Sequence, residues 1–262
     1  CLVVGVAACS DTVDYDTRLI HRPLGMAVTC ADTAGAPVAL DRCEDEGVTR
    51  TGWVLDGDAN GLAVLNLDTG RHLDADPFLP GFNALPVGGL PVAVRGTADS
   101  RHLVIALARD DATGSPALLL GDPATVADGE PFLRQALPCD PVDLAVGRAA
   151  VPGEPDPGIP VILVLMACPT GGRLAAVDFE GFGTLDASDP LALPGWSVPG
   201  SPFSVGVAAA GTPAYVASFL ARPDELGGLA AGDVLTRLDL LAADGALGSR
   251  LSVSLGDPGA LG

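Results

Sequence analysis

Pro141-Val-Asp-Leu-Ala-Val146, Val161-Ile-Leu-Val-Leu165 and Arg173-Leu-Ala-Ala-Val-Asp178 follow one another, separated by segments rich in Gly, Pro and Asp. Short apolar runs bounded by turn formers are the pattern of strands, not of helices. The series recurs. Pro-led alternating runs stand at Pro23–Val28, Pro91–Val94 and Pro202–Val207, and Pro258–Leu261 offers a fifth start. A second run follows at Pro37–Leu40, Leu103–Ala106 and Ala214–Ala217. A third follows at Gly61–Asp68, Pro116–Leu120 and Val234–Asp239. A looser fourth segment precedes each new Pro. The best helical candidate is Arg222–Ala231, which carries two consecutive glycines.

Four short strands per unit predict an all-β chain, specifically a β-propeller of four blade-like repeats plus a stub. The units are approximately 23–90, 91–140, 141–201 and 202–257, with the stub at 258–262. The physical logic is stacking: one four-stranded sheet cannot bury both its faces, but neighbouring sheets cover each other. A four-bladed ring is one reading. A fragment of a larger ring is preferred, given no initiator Met at one end and a half-built strand at the other.

Composition narrows the function. The 262 residues are 48% apolar, enough for a core, and carry 33 acidic against 14 basic side chains, for a net charge of −19. All the basic residues are Arg. With no Lys and nothing basic clustered, nucleic-acid binding is excluded, because it needs cations to replace phosphate counterions. The same lack of Lys rules out a phosphate-binding Gly-x-x-x-x-Gly-Lys loop. The charge reads as a solubility and self-repulsion effect.

The chain opens Cys1-Leu-Val-Val-Gly-Val-Ala-Ala-Cys9-Ser10. The apolar stretch is far shorter than the roughly 20 residues of a spanning helix and reads as the tail of a secretory signal. Val6-Ala-Ala-Cys9 resembles the bacterial lipobox. That resemblance implies that 1–8 are a signal remnant, that Cys9 is lipidated on its thiol, and that 9–22 form a polar tether. A buried N-terminal strand is the alternative. The implied partner is a membrane, held through the lipid anchor, and the implied location is the bacterial cell envelope, periplasmic or surface-facing.

Exported proteins meet oxidising conditions, so disulfides are the default for the remaining cysteines. If Val146 faces Val161 in an antiparallel hairpin, Cys139 lies almost opposite Cys168, close enough to bridge. Cys30–Cys43 follows only by elimination. The same logic places Cys43 opposite Leu24 and far from Cys30, so either that hairpin is irregular or both thiols stay free.

Pro202–Val207, the turn at Gly211, Tyr215-Val-Ala-Ser218 and Leu238-Asp-Leu240 resemble the repeat of YVTN-type bacterial β-propellers. Residues 61–107 resemble it in a different phase. The Tyr occurs in one repeat alone and the turn residues differ.

The strongest candidate for chemistry is Asp56-Gly-Asp-Ala-Asn-Gly61, which matches the first half of a calcium loop through Asp56, Asp58 and Asn60. Leu67 stands where the bidentate Glu is needed, and a solvated hairpin turn is the competing reading. Asp74, Asp76, Asp186 and Asp189 form similar acidic turns. No cofactor beyond calcium is implied. His21, His72 and His102 each adjoin an Arg and read as surface or turn residues. Trp53 and Trp196 read as packing between sheets. No nucleophile elbow occurs, and no catalytic residue is assigned. Function then divides three ways. The leading expectation is a non-enzymatic, lipid-anchored scaffold for a protein or envelope ligand. Its rivals are a lactonase- or hydrolase-type exported propeller enzyme and a calcium-stabilised adhesion module.

Overall fold

A computed structural model describes residues 20–73, 84–127, 131–149, 159–179, 182–183, 193, 195–198, 200–208, 214–223, 229–243 and 246–255. The regular structure of the described chain is almost entirely strand, arranged as antiparallel sheets in chain order. Sheet one holds β1 (Pro23–Ala31), β2 (Pro37–Val38), β3 (Thr49–Asp56), β4 (Gly61–Asn66), β5 (Arg71–Leu73) and β6 (Ala84–Pro86). Sheet two holds β7 (Gly89–Gly96), β8 (Leu103–Asp110), β9 (Ala117–Gly121) and β10 (Leu133–Ala136). Sheet three holds β11 (Asp140–Ala149), β12 (Ile159–Cys168), β13 (Gly171–Asp178) and β14 (Gly195–Val198). Sheet four holds β15 (Ser201–Val207), β16 (Ala214–Pro223), β17 (Leu229–Ala243) and β18 (Ala246–Leu255). Sheets two to four are simple up-and-down meanders.

The Pro-led runs are the first strands, and each carries the same irregularity. Pairing with the second strand slips by one residue just after Pro23, Pro91, Pro141 and Pro202. Proline has no N–H to give to the ladder, so it suits the start of a strand, and a bulge absorbs the missing bond. The register steps over Leu24, Val92, Val142 and Phe203.

The sheets stack face on face. Along β8, Leu103, Ile105 and Leu107 point into a core shared with sheet one, where they meet Trp53, Leu55 and Leu62. Val104 and Ala106 point the other way, into a core shared with sheet three that holds Leu144, Ile162 and Val164. β12 repeats the arrangement. Ile162, Val164 and Met166 face sheet two, while Val161, Leu163 and Leu165 face sheet four with Val205 and Val216. These two strands are therefore dry on both faces, which explains why they read as unbroken apolar runs. The first strands also lie beside one another in succession, β1 with β7, β7 with β11 and β11 with β15. No closed barrel or ring is formed by the described strands.

Three sequence expectations need correction. In sheet one, Pro37–Leu40 is not the second strand; only Pro37 and Val38 pair as strand, on the outer edge beside β1. The true partner of β1 is β3, reached after an excursion through 32–48. That irregularity carries Cys43 back to Cys30, with which it forms a disulfide at a Cα–Cα distance of 5.6 Å. In sheet three, Val146 faces Ile162 and not Val161. The bulge at Val142 takes up this offset, so Asp140 faces Ala167 and the adjoining Cys139 and Cys168 are joined, Cα–Cα 5.0 Å. Finally, Arg222–Ala231 is not helical where described: β16 and β17 continue through it, pairing Arg222 with Ala230 and Pro223 with Leu229. Two adjacent glycines are poor helix formers, and the hairpin partner supplies the bonds a helix would have made internally.

The two bridges hold loops of 13 and 29 residues' separation. Opening them releases chain entropy worth about 3 and about 3.5 kcal/mol in the loop-closure picture. A reduced sample is expected to melt well below an oxidised one, with Cys139→Ser/Cys168→Ser reproducing the larger part of the loss; identical calorimetric midpoints would contradict this. Among core positions, Leu163→Ala is expected to cost about 2–5 kcal/mol, whereas Leu133→Ala, at an exposed position, should fall within about 0.5 kcal/mol of the parent.

Candidate functional site at the ends of the first strands

The bulges bring Gly25, Ala93, Asp143 and Ser204 to equivalent places on four adjacent strands. Asp143 uses its place to tie three sheets together. Its Oδ1 accepts from Arg95 Nη2 of β7 at 2.9 Å and from the N–H of Leu144 at 2.8 Å. Its Oδ2 accepts from Ser204 Oγ at 3.1 Å and from the N–H of Val205 at 3.0 Å, both on β15. Charge-assisted bonds of this kind are the strong ones. The carboxylate is mostly shielded from solvent, and its four contacts offset the cost of shielding it.

One turn of chain further on, the first strands of sheets two, three and four end around a hollow of about 600 Å³. Leu40, Val146, Val207 and Phe179 give it apolar walls, and Thr97, Asp99, His102 and Arg148 give it a polar side. The turn between β7 and β8 positions much of that side. Thr97 Oγ1 donates to Asp99 Oδ1 at 2.5 Å and accepts from the N–H of His102 at 3.0 Å. Arg101 N–H adds a bond to Asp99 Oδ1 at 3.2 Å. Partial burial is the largest single influence on the Asp99 carboxyl and pulls its pKa upward. The Thr97 hydroxyl, the Arg101 N–H, the nearby His102 ring and the Arg101 guanidinium together outweigh it and hold the pKa below the ordinary carboxylate value. The imidazole of His102 stacks on Phe179, with centroids 5.2 Å apart and planes 28° from parallel.

The wall at Leu40 belongs to the excursion braced by Cys30–Cys43. It is fixed to the same turn by Leu40 N–H to Ala98 O at 2.8 Å and Cys30 N–H to Ser100 Oγ at 3.0 Å. A second, more apolar hollow of about 330 Å³ lies between sheets one and two, over Trp53 and Leu73.

The sequence candidates are dispersed. Asp56, Asp58 and Asn60 form the four-residue hairpin between β3 and β4, with Asp56 facing Gly61 and Asn60 at φ 49°. The Asp56 carboxylate is turned toward N–H groups. Oδ1 accepts from Asp58 at 3.0 Å and Arg22 at 3.2 Å, and Oδ2 from His21 at 3.2 Å. Asp58 and Asn60 are exposed. The geometry is that of a turn stapled to the segment before β1. Asp110 does similar work at the end of β8, accepting from Ala112 N–H at 3.0 Å and Arg134 Nη1 at 2.6 Å. Among the described residues no three His, Cys, Asp or Glu side chains are grouped to hold a metal ion. Cys9, Asp74, Asp76, Asp186 and Asp189 lie outside the described residues.

His21 is exposed, and His102 stands in the β7–β8 turn, half-buried in the wall of the hollow. Trp53 is buried between sheets one and two and donates its indole N–H to Thr29 Oγ1 at 2.8 Å. Trp196 packs on the core between sheets three and four. Asp143, Arg95, Asp99, Arg148 and Phe179 were not singled out from sequence. The one local signal was the Thr97-Ala-Asp99 turn, common to many loops.

Asp143→Ala is expected to cost about 1–3 kcal/mol by orphaning buried donors, while Asp143→Asn retains part of the stability; equal melting of all three proteins would contradict the clamp. For Asp56, burial is the largest influence and acts upward, yet the N–H groups of Asp58, His21, Arg22 and Ala59 together hold its pKa below the ordinary value. Its folded pKa is therefore lower than its unfolded one. The stability it contributes is full above roughly pH 4 and is lost as pH falls through the folded pKa. Asp56→Ala is expected to lower the melting point at pH 7 and to flatten this acid-side slope, which parallel thermal melts from pH 7 to 2.5 would measure.

No protein-family model matches the chain, and no curated protein matches it.

Proposed function

We propose that the chain is an exported β-propeller-type binding module, tethered to a bacterial envelope membrane through lipidated Cys9, and that it holds a small organic anion with an apolar or aromatic body. The observation that carries this reading is the hollow at the ends of three adjacent first strands. Such a mouth is where a stack of sheets around an axis presents groups from several sheets to one ligand, and its size falls in the usual range for small-molecule sites. His102 on Phe179 offers a stacking surface, and Arg148, which is itself engaged within the fold, adds a guanidinium to the same wall. The Asp99 carboxylate is already engaged by Thr97 and Arg101. The propeller reading is supported by meander topology, by first strands lying side by side, and by the shared bulge. The two disulfides fit an oxidising, exported setting, and no helix among the described residues is long and apolar enough to cross a membrane.

Binding is tested with paired compounds, aromatic carboxylates against their neutral amides, by calorimetry and thermal shift. The carboxylates are expected to bind preferentially. Phe179→Ala and Arg148→Gln should each weaken binding by roughly 5- to 30-fold, as about 1–2 kcal/mol of stacking or charge-assisted bonding implies. Binding unaffected by either change, or favouring the amides, would overturn the site. Anchoring is tested separately: Cys9→Ala, expressed with its full leader, is expected to move from the membrane to the soluble fraction.

A further inference from the structure

The face that sheet one turns to sheet two carries two rows of side chains. Ala27, Trp53, Val64 and Leu73 stand directly opposite one another across β1, β3, β4 and β5, and Thr29 pairs with Thr51 in the next row. Residues opposite one another in a ladder share a face, so the two rows make one continuous surface. Part of that surface is covered by the core that Leu103, Ile105 and Leu107 supply from β8. The rest of it, from Thr29 and Thr51 to Leu73, floors the hollow of about 330 Å³. Pro123 and Ala124, which follow β9, and Ser100 of the β7–β8 turn add further walls. Leu73 stands 40% exposed at the lip. An apolar cavity of about 150 Å³ already takes benzene, so this one has room for a fused pair of rings.

Two hydroxyls interrupt the apolar lining, and both are buried: Thr29 is 4% exposed and Ser100 2%. Thr29 Oγ1 accepts the indole N–H of Trp53 at 2.8 Å, and Ser100 Oγ accepts the N–H of Cys30 at 3.0 Å. A hydroxyl also has one proton to donate, and no described residue accepts from either. A buried donor left unmet costs free energy, so both protons favour an acceptor brought into the hollow. The charge of the lining selects further. None of its described residues is basic, and its single carboxylate, Asp122, is exposed, with Oδ1 bound to the N–H of Ala124 at 2.9 Å. An anion would meet no cation here, and a cation entering the apolar interior would have no buried counter-charge. The chemistry is thus the reverse of that at Arg148.

We infer that this hollow is a second binding site, separate from the anion hollow, for a neutral molecule of one or two rings carrying a carbonyl or ether oxygen. The rings lie against Trp53 and Val64, and the oxygen accepts from the hydroxyls of Thr29 and Ser100.

The test uses the full chain and three probes of one carbon frame: indanone, indane, which lacks the oxygen, and indane carboxylate. Calorimetric titration is expected to rank indanone first, with indane weaker by roughly 3- to 10-fold, the factor that one ordinary hydrogen bond supplies, and the carboxylate weaker still. Thr29→Val and Ser100→Ala are each expected to lower the affinity for indanone while leaving that for indane in place. Equal losses for both probes would assign the hydroxyls a purely structural role and overturn the acceptor part. Thr51→Phe places a larger side chain on the floor of the hollow at a half-buried position. It is expected to abolish indanone binding with a normal melting transition. Undiminished binding by that folded variant would overturn the location. A parent chain that binds neither neutral probe, binds indane as well as indanone, or prefers the carboxylate would overturn the inference.

Discussion

The structure depends on burial of both faces of a sheet. A strand such as β12, with Val161 to Met166 apolar without a break, has no side it can present to water. Each fully buried Val, Leu or Ile contributes about 1.5–3 kcal/mol relative to exposure, but only if another sheet lies within reach on each side. Sheets two and three meet that condition. Sheets one and four join the described cores through the faces turned to sheets two and three.

Stacking alone would let sheets slide, and two features fix their positions. The bulge after each leading proline sets which residues point to which neighbour, since a slip of one residue exchanges the faces of a whole strand. The Asp143 carboxylate then joins β7, β11 and β15 through Arg95, Ser204 and the β15 backbone. Strand ends held this way can shape a hollow whose walls come from several separate parts of the chain. The disulfides act at the margins: Cys30–Cys43 supports the excursion that supplies Leu40, and Cys139–Cys168 closes the start of sheet three.

The all-β class, the Pro-led first strands and most second and third strands were legible because alternation and turn formers act locally. Thr49–Asp56 was missed as a strand because its early residues are polar and its end merges with the Asp56 turn. The Asp122-Pro123 start of α1 (Pro123–Ala127) had a readable cap, with Ala124 N–H bound to Asp122 Oδ1 at 2.9 Å, but five residues give no periodicity. The candidate site was hidden for a different reason. His102 lies far along the chain from both Phe179 and Arg148, and no local pattern links them. Asp143 sits inside an apolar alternation where an acid looks like an ordinary outward residue.

The amino-acid sequence by itself determined that the chain forms short antiparallel strands in repeating groups, that it carries a strong negative charge, and where each group begins. Periodicity and proline chemistry act between near neighbours and need no fold to be read. Tertiary structure alone decided which sheet faces which, how a one-residue bulge realigns Cys139 with Cys168, and which residues share the hollow. Those depend on register and on contacts between residues dozens of positions apart, which only the stacked sheets bring together.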